Sequence, residues 1–176
     1  MALTIVKYPA KILTRPARRL ERNDSRNLAE LFEQMVQTMQ EEQGVGLAAP
    51  QIDEGIRFIT AKDTEKGLFR AMVNPQIIKR SADTEVAGEG CLSFPGQLGD
   101  IERAVSIEVR FADLDFNEQV ESAEGYFARV LQHEIDHING ITIIDRAIGG
   151  LYQLEVEQED SAGPTTDQVV LKPQVE

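Results

Sequence analysis

Leu28, Leu31, Phe32, Met35, Val36 and Met39 recur at intervals of three and four residues, which places them on one face of an α-helix. The pattern predicts a helix over about 27 to 43. Asp24, Ser25 or Asn27 would cap its start and Gly44 its end. Farther on, Val105, Ile107, Val109 and Phe111 alternate with Ser106, Glu108 and Arg110, which marks a half-buried strand. Short apolar runs at 56–60 and 69–73 read as further strands, and 113–119 as a hairpin turn. A second helix is predicted over about 123 to 138, stopped by Asn139-Gly140. From Leu151 onward the periodicity fades, and six acids and one lysine fall between 151 and 176. The chain therefore divides into one domain over 1–150 and an acidic C-terminal tail over 151–176. Within that tail, Val169-Val170-Leu171 is apolar enough to dock on the domain.

The second helix carries the chemistry. His133-Glu134-Ile135-Asp136-His137 contains both histidines of the chain, spaced i and i+4, so one helix face presents them to a single metal ion. With His133 at zero and 100° per residue, His137 lies near ~40°, Val130 near ~60°, Glu134 near ~100° and Phe127 near ~120°. The histidines and Glu134 share the apolar arc, while Arg129, Gln132 and Asp136 fall on the opposite side. An uncompensated carboxylate on a buried face costs several kcal/mol, so a solvated charged turn explains the pattern poorly. A metal site explains it, with Glu134 as general base toward a metal-activated water.

Two histidines do not complete such a site, because a catalytic ion takes three protein ligands and keeps one position open. The extended HExxHxxGxxH pattern holds through Gly140 but ends on Ile143, which cannot ligate. A zinc peptidase with a downstream acid would use Glu155 or Glu157. The better unused donor is upstream: Cys91, the only cysteine, in Glu89-Gly90-Cys91-Leu92-Ser93. A lone cysteine is usually a small buried hydrophobe, but beside a histidine pair a metal-held thiolate is a real alternative. A third segment, Gly44-Val45-Gly46-Leu47-Ala48-Ala49-Pro50-Gln51, lacks the Gly-Lys-Ser/Thr ending of a phosphate loop. Its small residues permit close approach, and the Gln51 amide can donate to a carbonyl oxygen.

Composition narrows the partners. The net charge of -12 and pI near 4.7 disfavour direct nucleic-acid binding. No apolar run approaches a membrane span, and the N-terminus lacks signal or transit character, so a cytoplasmic protein away from membranes is expected. One cysteine excludes an intramolecular disulfide.

Gly-x-Gly-Leu-Ala-Ala-x-Gln, Glu-Gly-Cys-Leu-Ser and Gln-His-Glu-x-Asp-His, in that order, resemble the signature of peptide deformylases. The resemblance extends over about residues 3 to 147 and includes Ile5 to Pro9, Pro95-Gly96 and Arg103. Asp53, where many members have glycine, and Ile138, where leucine is common, depart from it. The resemblance implies an α+β fold with antiparallel β-sheets around a central metal-bearing α-helix. It implies Cys91, His133 and His137 as ligands of one divalent ion. Ferrous iron is expected physiologically, with zinc, nickel or cobalt able to take the site. Glu134 becomes the acid–base, while Gln51 and the Leu92 backbone N–H become oxyanion donors. Gly44, Val45, Gly46, Glu89, Gly90 and Val130 become substrate-binding positions, with Val45 and Val130 lining a methionine pocket. The expected reaction is hydrolysis of the N-formyl group from N-formylmethionyl peptides emerging from the ribosome. A binding protein on the same fold is the non-enzyme alternative, disfavoured by intact Glu134, Gln51 and Cys91.

Overall fold

The computed structural model describes residues 3–153. Most of the acidic tail, with Glu155, Glu157 and the 169–171 segment, lies outside the described residues. In chain order the elements are α1 (Leu28–Glu41), β1 (Gly46–Ala48), β2 (Phe58–Asp63), β3 (Leu68–Arg80), β4 (Thr84–Cys91), β5 (Phe94–Ala104), β6 (Ser106–Ala112), β7 (Glu118–Glu124), α2 (Gly125–Ile138), α3 (Ile143–Arg146) and β8 (Leu151–Gln153). Strands β1-β2-β3-β6-β7 form one sheet and β4-β5-β8 a second, with every strand pairing antiparallel. The architecture is α+β, with α2 at its centre.

Helix α1 forms where the periodicity placed it. Asn27 is its cap, accepting a hydrogen bond from the Glu30 N–H at 3.2 Å. Its end differs from expectation. Gln43, not Gly44, takes the left-handed conformation (φ 56°), and the Gly44 N–H closes the turn on the Met39 carbonyl. Gly44 is small for another reason: a Cβ there would lie 3.0 Å from Leu92 Cδ1.

Helix α2 begins two residues later than predicted, because Ala123 and Glu124 continue β7 and Gly125 (φ 56°) makes the switch. Its end is as expected. Gly140 (φ 74°) donates to the His137 carbonyl and Ile141 to that of Asp136, a Schellman closure. Phe127, Val130, Leu131 and Ile138 pack on Ile59, Met72, Ile107 and Val109 of the larger sheet. Each such side chain contributes about 2 kcal/mol by leaving water. On the other side of β1 and β2, Met35 and Met39 of α1 pack with Leu47 and Phe58.

The helical wheel fails on the far face of α2. Arg129, Gln132 and Asp136 are buried as fully as the apolar arc. They are polar because they bond to the smaller sheet: Gln132 brackets the Ala104 N–H and carbonyl, and Arg129 reaches the Ile101 carbonyl. The alternating segment is β6, with Ile107 and Val109 inward, but Val105 lies before the strand and is exposed. The first two residues of the proposed tail region, with Gln153, pair with β5 as β8.

Candidate metal centre and active-site cleft

Strand β4 delivers Cys91 at its last position, where the chain turns tightly into β5 and Cys91 faces Phe94 across the turn. Helix α2 brings His133 and His137 one turn apart. Cys91 Sγ lies 3.2 Å from His137 Nε2, which lies 3.1 Å from His133 Nε2. All three donor atoms fall within 4.8 Å of one another. Two imidazole Nε2 atoms and a sulfur at these separations match ligands around one ion held at about 2.0–2.3 Å. The orientation agrees. His133 Nδ1 is 2.9 Å from Glu89 Oε2, which holds a proton on Nδ1 and would leave Nε2 as the ligand atom when an ion is bound. The donor set therefore fits a divalent metal ion, and among the described residues Cys91 is the third member.

The electrostatics support a thiolate. Burial pushes the Cys91 thiol up, yet the His137 charge and hydrogen bonds from both histidines hold it well below its ordinary value. Glu89 is governed similarly. Burial works against its ionisation, but bonds from His133 and Arg103 outweigh it and hold the carboxyl at about 2. Its oxygens also accept from Arg129. Arg103 in turn bridges Glu89 to Asp136, which Arg146 grips through Nε and Nη2. This buried chain ties the ligand histidine to β4, β5 and α3.

Glu134 points the other way from Asp136, toward β1. It is 4 % exposed, and burial raises its carboxyl to about 7, against the lowering influence of the two histidines. Its Oε2 has no hydrogen-bond partner among the described residues. The space it fills exists because residue 46 is glycine: a Cβ there would meet Glu134 Oε1 at 2.2 Å. Gln51 is buried on a 3₁₀ turn that follows β1. Its Oε1 accepts from the Ala48 N–H at 2.9 Å, which orients Nε2 toward Cys91 Sγ at 3.4 Å and Ser93 Oγ at 3.3 Å.

A cleft of about 520 Å³ opens beside these groups. Gly44, Val45, Gly46, Gln51, Glu89, Gly90, Cys91, Leu92, Val130, His133 and Glu134 all line it, so the three sequence segments converge on one wall. His137 is buried behind them. The structure adds Lys7, Leu98, Tyr126 and Arg129, which the sequence reading had not selected. Lys7 donates to the Leu92 carbonyl at 2.7 Å. Arg129 had been assigned to the polar side of α2, and Tyr126 and Leu98 carried no motif; only the chain's path reveals them.

A thiolate and two imidazoles beside a cleft, with a buried carboxyl of raised pKa next to them, define a mononuclear metallohydrolase. The sequence pattern of the family described as "Polypeptide deformylase" matches residues 2–150. A peptide deformylase from Desulforudis audaxviator is 43% identical over 143 residues, which is 81% of this chain and 92% of that protein. One from Thermotoga petrophila is 48% identical over 120 residues, 68% of this chain and 72% of that protein. The crystal structure of the Thermotoga maritima peptide deformylase superposes with a TM-score of 0.79 at 38% identity, covering 84% of this chain and 99% of that one. A Met-Ala-Ser-bound class I type b peptide deformylase from Acinetobacter baumannii gives 0.75 at 32% identity, covering 83% and 98%. The chain belongs to the polypeptide deformylase family. Its function is that of a metal-dependent hydrolase that removes the N-formyl group from peptides. No helix among the described residues is long and apolar enough to cross a membrane.

Proposed function

We propose that Glu134 is the acid–base of deformylation and that the carboxylate is held ready by burial against Gly46. The carrying observation is its position: buried, raised to about 7, and adjacent in sequence to a metal ligand it does not itself join. A base poised near neutral pH both takes and returns a proton efficiently. Cys91, His133 and His137 would hold a divalent ion, which when bound would supply Lewis-acid chemistry toward the attacking water and the formyl carbonyl. Glu134 takes the water's proton and passes it to the amine nitrogen as the C–N bond breaks, so formate and a free amino terminus leave. The Gln51 Nε2 group and the Leu92 backbone N–H donate to the oxyanion formed at the formyl carbon, each worth roughly 3 kcal/mol in such sites. Two features support that role for Gln51: its burial and the Ala48 bond that fixes the direction of its amide.

The substrate is an N-formylmethionyl peptide leaving the ribosome in the cytoplasm. Val45 and Val130 offer apolar lining for the methionine side chain. Gly44, Gly46 and Gly90 line the same cleft, and their backbone is offered to the peptide. Glu89 contributes differently from the sequence expectation. Its carboxylate is occupied by His133, Arg103 and Arg129, so we assign it to orienting the ligand histidine and leave only its backbone for the substrate. Ferrous iron is the proposed physiological ion. The Cys-His₂ set also accommodates zinc, nickel or cobalt.

The test is Glu134→Gln. The variant is expected to bind metal at wild-type stoichiometry and to lose roughly 10²–10⁴-fold in turnover. Normal turnover would remove Glu134 from the mechanism, and loss of metal would show that it acts as a ligand.

A further inference from the structure

On the face of α2 away from the ligand histidines, a second cavity of about 380 Å³ is lined by Arg19, Arg57, Gln76, Arg80 and Asn139, with the buried Ile135. Three arginines converge there, and no carboxylate lines the cavity, in a chain whose net charge is -12. None of the three takes part in an ion pair among the described residues, although other arginines of the chain do. Arg57 is anchored by neutral acceptors only: the Ile138 carbonyl at 3.1 Å, Asn139 Oδ1 at 2.8 Å and the Pro75 carbonyl at 3.2 Å. Those bonds fix its guanidinium without cancelling its charge. Burial first, and the Arg19 charge second, hold the Arg57 guanidinium below its ordinary value, with no acid offsetting either.

The neighbouring cavity makes the contrast plain. It shares Arg19 and Gln76 and adds Arg22 and Arg110, but Glu21 and Glu118 line it as well. Uncompensated positive charge is therefore concentrated in the first. Like charges gathered in a concave site repel, and an anion relieves that repulsion. Several guanidinium forks favour a tetrahedral oxyanion of charge near -2, which accepts paired N–H bonds from more than one arginine. Asn139 spends its oxygen on Arg57, which leaves its amide N–H groups as further donors beside that of Gln76.

We infer that this cavity is a binding site for a phosphate group, free or esterified, separate from the metal centre and independent of the deformylation chemistry. The test uses the full-length, metal-loaded protein. It measures binding of inorganic phosphate and of a nucleoside diphosphate by calorimetry, with chloride at matched ionic strength as the control. Arg19→Gln and Arg80→Gln are the variants of choice, because both side chains are exposed and carry no hydrogen bond of the fold among the described residues. Saturable phosphate binding is expected, at least tenfold weaker in either variant, with deformylation unchanged. Tighter binding of the diphosphate would identify the ligand as esterified, and equal affinity as the free ion. Phosphate bound at the metal would survive in the double variant, so undiminished binding there overturns the inference. Absence of saturable binding, or a response that chloride reproduces, overturns it equally.

Discussion

Adding one methyl group at Gly46 separates the stability of the fold from the position of its proposed catalytic base. An alanine Cβ there would stand 2.2 Å from Glu134 Oε1, 2.7 Å from Cδ and 2.8 Å from Cγ. Favourable contacts begin near ~3.5 Å, so the carboxylate must retreat by about 1 Å. The obstruction is the far end of a flexible side chain, so the fold yields at modest cost, about 1–3 kcal/mol as in other overpacked sites. Catalysis is less forgiving. A displacement of about 1 Å from productive geometry costs roughly 100-fold, or about 2.7 kcal/mol. Complete loss of general-base assistance sets a ceiling near 10⁴-fold. Gly46→Ala is therefore expected to lower kcat/KM on a formyl-peptide by roughly 10²–10⁴-fold while retaining metal, since Glu134 is not among the three donors. The assay pairs formate release with metal content and thermal melting. Near wild-type turnover would refute the argument that Gly46 is the wall holding Glu134. A metal-free variant would refute the separation of base from ligands.

Other expectations follow from the same geometry. Glu89 is held at about 2 when folded, against roughly 4.5 when unfolded, so its contribution to stability is fully present above about pH 4.5. That contribution, about 3 kcal/mol, is lost as pH falls from there toward 2; melting the metal-free protein across that window should show a steeper decline than Glu89→Gln shows. Parallel declines would mean that the Glu89 cluster does not set acid stability. Asp53 adopts a left-handed conformation (φ 63°) at a position the resemblance assigns to glycine. Asp53→Gly is expected to raise stability by roughly 0.5 kcal/mol once glycine's added chain entropy is subtracted, and a lowered Tm would contradict this. Ending the chain after Gln153 preserves β8 and removes Glu155 and Glu157. Metal content and deformylation should both persist, whereas a peptidase that relies on a tail ligand would lose its ion.

How much of this was legible in the sequence depended on where each partner lay. His133, Glu134 and His137 could be read together because a helix puts residues one turn apart on one face. Cys91 came from counting ligands, as the best unused donor for the histidine pair, while Gln51 came from a short segment that only the resemblance joined to the helix. The smaller sheet was opaque. Strands β4 and β5 carry glycines and Pro95, and where burial in β5 does alternate, at Gly99, Ile101 and Arg103, only Ile101 is apolar, so neither shows hydrophobic alternation in sequence. They are held by pairing with each other and by the backing of α2 and α3. The charges on the far face of α2 misled for a related reason. Arg129, Gln132 and Asp136 are buried by virtue of partners supplied from β4, β5 and α3, tens of residues distant for the first two strands. Hydrophobic periodicity registers apolar burial and has no sight of polar groups satisfied at long range. The tight contact of Gly46 with Glu134 likewise exists only once β1 lies against α2.

The most direct test of the central claim is release of free amine from formyl-Met-Ala-Ser by protein prepared anaerobically with ferrous iron. Metal-dependent release, abolished with the ion retained in Glu134→Gln, is the predicted result. Bound metal without release of either formate or free amine would contradict the account and leave a metal-binding protein built on this fold.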